Sequence, residues 1–276
     1  MSIQQSIPAR SFRMGNMSIF RVLPHLHKRM VGPFIFMDQG GPLTVQKMSF
    51  NGVPEHPHAG LSTFTYLIQG AVHHQDSAGF SSDVHSGDIA LMTAGSGLSH
   101  EEKPLFEEGT TEHTLYFAQM WLALPDEVED MPPTFEHHPA TSVPVLKHEK
   151  VTVRIAMGTL WGTEAPTTCY APTFFADIEM QALGTLTLEN TYQEQALFII
   201  EGSASLDGVS LDKHTLYVLN SDQHTVLSKT GCRALYFGGD TFPTERFLGG
   251  SFVASSKEKL QYWMQKSQTA SWPRIS

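Results

Sequence analysis

"GVPEHPHAGLSTFTYLIQG" (Gly52–Gly70) sets two histidines one residue apart, His56 and His58, just ahead of a run rich in β-branched and aromatic residues that stops at a glycine. Such a run reads as a β-strand. Side chains two apart on a strand share a face, so an extended His56-Pro57-His58 points both imidazoles the same way. Pro57 supports the extended reading because it pushes the residue before it out of the helical region. Proline also belongs at a sheet edge, since it cannot donate to a ladder.

Working outward, similar strands recur: "GDIALMTAG", "TLYFAQMWLALP", "VTVRIAMGTL", "TFFADIEM", "ALFIIEGSASL" and "HTLYVLN" are short and bounded by Gly, Pro, Asp or Asn. Turn signals such as "DSAG", "SGD", "EGS" and "LDG" lie between them. The pattern predicts an all-β sandwich or barrel. The order of signals also repeats. "TFTYLIQGAVHH" followed by "VHSGDIALMTAGSGLSH" is echoed by "ALFIIEGSASL" followed by "LDKHTLYVLNSDQH". Two related β-barrels in tandem explain this. Residues 125–145 carry five prolines and an acidic cluster and read as the linker between them. The expected domains are residues 1–130 and 145–276. In the tail, Ser255-x-x-Glu258 reads as a capping box, with Leu260, Trp263 and Met264 at helical spacing behind it. That predicts one short C-terminal helix packed on a barrel.

A second pair of like-facing donors follows in "TAGSGLSHEEKP", where His100 and Glu102 are again two apart. If both segments lie on adjacent strands of one barrel, His56, His58, His100 and Glu102 converge. Three imidazoles and a carboxylate suit a divalent first-row metal: Fe, Mn, Co, Ni, Cu or Zn. Glu101 has the opposite phase and reads as a solvated carboxylate.

"GVPEHPHAG" with "GLSHEE" resembles the two metal-binding motifs of the cupin superfamily. More narrowly, "RVLPHLHKRMVGPFIFMDQGGP", "HPHAGLSTFTYLIQG", "HQDSAG", "GDIALMTAGSGLSHEE" and "QMWLALP" resemble the pirin family over roughly residues 20–125. The second half is similar more loosely, through "FGGD" and "LGGSFV". The resemblance implies tandem cupin barrels (a bicupin), with the metal in the first and the ligands lost from the second. It implies metal ligands His56, His58, His100 and Glu102, and Fe(II) as the usual ion. It implies a quercetin 2,3-dioxygenase acting on a flavonol and dioxygen, with Glu102 also serving as general base. The alternative is a regulatory protein whose metal responds to redox state and which binds a transcription factor or a metabolic enzyme. A third reading is a cupin that binds or isomerises another small molecule. The family often places Arg and Glu where this chain has Ala59 and Ser62, which bears on substrate range.

Other histidines read more plainly. His74 fits a hydrogen-bonding role within a hairpin, with a site role as the sharper alternative, and Asp76 and Ser77 are turn residues. His25 and His27 lie in a loop without a partner pair. His137 and His138 fall in the linker, and His214 and His224 are isolated polar groups. Phe34, Phe36, Met37 and Asp38 read as core and turn, or as the mouth of the cavity. Cys169 and Cys232 have no base or metal motif beside them, and two cysteines make no disulfide framework. With 18 Lys plus Arg against 28 Asp plus Glu the formal charge is −10, which disfavours direct nucleic-acid binding. No apolar run approaches the ~20 residues of a membrane helix, and the N-terminus lacks the apolar core of a secretory signal. A monomeric cytosolic protein is expected.

Overall fold

In the computed structural model, residues 2–47 and 51–275 are described; Met1 and Ser276, the outer ends of the two expected domains, lie outside them. Among the described residues the architecture is all-β with one helix, Lys257–Lys266. It consists of two cupin-type β-sandwiches, each pairing a seven-stranded with a four-stranded sheet.

The repeat in the sequence is a repeat in topology. One four-stranded sheet runs Val53–His58, Leu98–Pro104, Ala71–Asp76, Ser81–His85 in spatial order. The other runs Gly184–Thr187, Thr225–Ser228, Ala204–Leu206, Val209–Leu211, the same order by position in the repeat. In the seven-stranded sheets, Leu61–Gln69 sits between Ile89–Thr93 and Glu112–Ala123, as Glu194–Gly202 sits between Thr215–Leu219 and Cys232–Gly239. The edge strands come from elsewhere in the chain. Thr134–His138 pairs with Ile89–Thr93, whereas the N-terminal strand Ile3–Pro8 pairs with Thr215–Leu219.

The chain therefore divides into compact units that no single cut separates. One comprises Met1–Phe12, Phe20–Phe34 and Thr141–Thr241; the other comprises Arg13–Ile19, Ile35–Ala140 and Phe242–Ser276. The expected second domain, 145–276, thus gives up its last segment. Phe252, Ala254, Trp263 and Trp272 form an apolar cluster with Ala59, and burying that surface is what holds the segment there.

Three further expectations change. Residues 125–145 are not a bare linker: the prolines flank Thr134–His138 rather than interrupt it, so the stretch keeps a paired strand. His137 belongs to that strand, its Nε2 2.9 Å from Asp88 Oδ2 and its Nδ1 3.1 Å from Ser82 Oγ. The helix is capped by Ser256, whose side chain accepts from Lys259 N, and not by Ser255. Trp263 is buried and Leu260 packs beside it, but Met264 is 41% exposed.

Asp88 anchors the strand Thr134–His138. Burial alone would raise its carboxyl, but the His85 N–H (3.0 Å), His137 Nε2 and the Ala140 N–H (2.7 Å) outweigh it and hold the group below its usual range. A carboxyl lowered in the folded state stabilises above its unfolded value, about 3.9, and that contribution is lost as pH falls through the folded value. We expect Asp88→Asn to cost roughly 1–3 kcal/mol at pH 7, from buried donors left poorly paired. The gap from wild type should close below about pH 4, as read by chemical denaturation at several pH values. A gap that stays constant down to acid pH would contradict this role.

Candidate functional site

Val53–His58 is an edge strand, which is why it tolerates Pro54 and Pro57. It pairs antiparallel with Leu98–Pro104, setting His100 directly opposite His56 and Leu98 opposite His58. Between His100 and Glu102 the register shifts, so Glu102 faces Val53. On its other flank Leu98–Pro104 pairs with Ala71–Asp76, placing His74 opposite Glu102 and Asp76 opposite His100.

This brings three of the four expected residues into one group. Ring nitrogens of His56, His58 and His100 lie within 4.8 Å of one another. Glu102 falls instead in an overlapping group with His74 and His100, within the same limit. The extra residue lies in Val53–His58, so Glu102 falls opposite Val53 rather than a histidine of that strand, while unbroken pairing with Ala71–Asp76 sets it opposite His74.

The hydrogen bonds fix which nitrogens face inward. His58 Nδ1 donates to the Ser251 carbonyl at 2.9 Å and His56 Nδ1 to the Pro54 carbonyl at 2.8 Å. Each leaves Nε2 with its lone pair, the arrangement typical of ligating histidines. His56 Nε2 and His100 Nε2 are 3.1 Å apart. That distance suits a hydrogen bond between the two rings. It also suits two nitrogens sharing one cation, since ligands each about 2.1 Å from a metal stand about 3 Å apart when adjacent. His58 and His100 are 1% and 2% exposed, while His56 is half-buried, so the group opens on the His56 side. Burial first, then His56, lowers the His58 imidazole to about 3, against the pull of the Ser251 carbonyl. Burial first, then the other histidines, puts His100 well below its ordinary value. Both rings are neutral at pH 7, the form that binds metal. The donors and their protonation fit a divalent transition metal.

Several neighbours escaped the sequence reading. Glu102 Oε1 accepts from Thr65 Oγ1 at 3.0 Å, and Thr65 Oγ1 is also 2.9 Å from the Gln119 amide. One hydroxyl proton serves one acceptor at a time, so Glu102 Oε1 and Gln119 Oε1 share the Thr65 hydroxyl. Trp121 meets His58 edge-on at 5.0 Å and stacks on Phe36 at 4.0 Å. Thr65 and Gln119 are cross-strand partners, a pairing no local motif announces. Ser251 lies 193 residues from His58.

The remaining candidates fall elsewhere. Glu101 pairs with Lys103 at 2.5 Å. Ser62 bonds Thr93 at 2.8 Å, on the face of its strand opposite Thr65. Ala59 is fully buried against the C-terminal segment. Phe34 packs on Phe237, Met37 and Asp38 are buried, and Phe36 reaches toward the site through Trp121. His25 and His27 join no group of metal-binding geometry among the described residues. Cys169 and Cys232 form no disulfide, and burial raises the Cys232 thiol.

The other unit has no such group among its described residues. His224 is buried with Nδ1 2.7 Å from Asp207, and His214 stacks on Phe20 at 3.5 Å. Counting back from Gly70 and Gly202, the positions matching Thr65 and Gln119 are the paired Leu197 and Tyr236. Both belong to the apolar core of that unit.

Comparison with known proteins agrees with this architecture. A crystal structure of quercetin 2,3-dioxygenase from Acinetobacter baumannii superimposes with a TM-score of 0.90 at 31% identity, covering 98% of this chain and 91% of that one. A Pseudomonas aeruginosa protein provisionally named quercetin 2,3-dioxygenase is 34% identical over 93% of this chain and 81% of its own length. A Pirin-like protein of Caulobacter vibrioides is 33% identical over 92% of this chain and 88% of its own. Among the described residues, no helix is long and apolar enough to cross a membrane. The Pirin family model matches residues 16–122 and that of the Pirin C-terminal cupin domain residues 175–270, and the chain belongs to the pirin family.

Proposed function

We propose that this protein is a metal-dependent dioxygenase that cleaves flavonols of the quercetin type, at a centre held by His56, His58, His100 and Glu102. The observation that carries this reading is the meeting of three imidazoles, two of them with the far nitrogen tied to a backbone carbonyl. With the Glu102 carboxylate added, the donor set suits Fe(II), with Ni, Co, Mn, Cu or Zn as substitutes. The bound ion supplies Lewis acidity and the redox partner that dioxygen chemistry needs.

The protein's own groups do the rest. Glu102 is the general base that takes the proton of the flavonol 3-hydroxyl. Thr65 holds one of its oxygens at 3.0 Å and leaves the other to receive that proton. Trp121 and Phe36 form an aromatic wall beside His58, against which a flat polyphenol stacks. The half-buried His56 marks the side of approach, while His58 and His100 keep water from the far side.

The test uses metal-loaded protein mixed with quercetin without oxygen and then aerated. We expect oxygen uptake and carbon monoxide release in equal amounts. In Glu102→Gln, a loss of about 100-fold or more is expected, the usual contribution of a positioned base. A protein of confirmed metal content that consumes no oxygen would refute the assignment.

A further inference from the structure

The strand Ala71–Asp76 brings a further donor to the centre. His74 is 3% exposed. One of its ring nitrogens, one of His100's and a Glu102 oxygen lie within the same 4.8 Å limit as the three histidines of the first group. Asp76 orients it. That carboxylate has no exposed side-chain surface; its Oδ1 accepts from the Ala78 and Phe80 N–H groups at 2.9 and 3.1 Å, and its Oδ2 lies 3.1 Å from His74 Nε2. An acceptor so placed makes Nε2 the donor and leaves Nδ1 its lone pair. A carboxylate behind an imidazole is the support that ligating histidines usually have. Phe135 stacks on the ring at 4.3 Å and 14°, which restricts its rotation.

His100 belongs to both groups and is held on one side only, its Nε2 lying 3.1 Å from His56 Nε2. Its Nδ1 is buried with no hydrogen-bond partner. A turn of the ring that re-aims either nitrogen therefore breaks no hydrogen bond at Nδ1.

We propose that the centre offers two overlapping positions for one divalent cation, pivoting on His100: an all-imidazole position with His56 and His58, and a two-histidine, one-carboxylate position with His74 and Glu102. This rests on the metal reading above and refines it, assigning Glu102 to the second position and adding His74 there. The two positions differ in hardness. Imidazole alone suits Ni, Cu or Zn, while a carboxylate in the set favours Mn and Fe(II). His74 is thus a determinant of which metal the chain prefers.

Binding of the metal alone tests this, without turnover. In the full chain, His74→Phe keeps an aromatic ring against Phe135. It should weaken Mn(II) binding, followed by electron paramagnetic resonance, about 10-fold or more, the loss typical of disturbing a metal's supporting shell. Ni(II) binding by calorimetry should change much less. Equal losses for both ions, or none for either, would overturn the proposal while leaving the first group intact. A complementary variant, His56→Ala with His58→Ala, should still take up one Co(II) per chain in a visible titration, and adding His74→Ala should abolish it. A folded double variant that binds no Co(II) would also overturn it. Wild-type protein that binds none of these ions would instead remove the metal centre itself.

Discussion

His58→Ala is expected to purify with less than about a tenth of the wild-type metal, a loss at least as large as that from disturbing a supporting residue. His58 lies at the end of an edge strand, is almost wholly enclosed, and has its tautomer set by the Ser251 carbonyl. Truncation removes one of three inward nitrogens and takes away that half-buried carbonyl's donor, which costs about 1 kcal/mol in addition. The metal-dependent rise in melting temperature should vanish with the metal, because only a ligand that binds the folded state stabilises it. His25→Ala is the control. That residue lies in a turn, with Nδ1 3.3 Å from the His27 N–H, and its variant should keep its full complement. Elemental analysis after dialysis decides the matter, and equal metal in both variants would refute the assignment. Weak uptake by His58→Ala on titration with added Mn(II) would be the His74 group showing itself, since that group does not use His58.

The legible part of this site was whatever a period of two could show. His56 with His58, and His100 with Glu102, were identifiable because a strand repeats its facing every second residue. The strand repeat likewise revealed two units of one design. What stayed hidden depends on pairing between strands. The register shift that sets Glu102 opposite Val53, away from His56 and His58, is a property of two strands together. His74 becomes a neighbour of Glu102 only through a third strand. Trp121 lay within a segment that carried the family likeness, yet its contact with His58 needs Glu112–Ala123 placed beside Leu61–Gln69. Residues 125–145 misled because proline density signals a linker, whereas here the prolines bracket an edge strand that tolerates them. The cap shifted by one because Ser255 and Ser256 are both competent, and Ser255 is engaged by Glu129 instead.

Glu129→Ala should lower stability by about 2–4 kcal/mol, toward the lower end of the range for breaking a buried ion pair. That corresponds to a drop in melting temperature of very roughly 4–16 °C for a chain of this size. Glu129 is 1% exposed and holds the C-terminal segment: one oxygen accepts the Ser255 N–H at 2.7 Å, the other the Ser255 hydroxyl at 2.8 Å and Lys259 Nζ at 2.9 Å. The estimate sits low because Lys259 is a quarter exposed and keeps Asp130 as a partner. The same segment carries Ser251, whose carbonyl orients His58, and Trp272, whose indole nitrogen donates to Ser99 Oγ at 3.0 Å beside His100. Trp272 fits because Gly97, at φ +115°, has no Cβ; one built there would stand 2.5 Å from the indole. Loosening the segment should therefore weaken metal binding about 10-fold through the lost support of His58. Linkage makes the effect reciprocal: removing the metal should loosen the segment by the same free energy. Trypsin should then cut after Lys257, Lys266 or Arg274 faster in chelator-treated wild type than in the metal-loaded protein, and fast in Glu129→Ala under both conditions. A Glu129→Ala protein that melts with wild type and holds its metal equally well would show that the segment is only a covering, with no hold on the histidine beneath it.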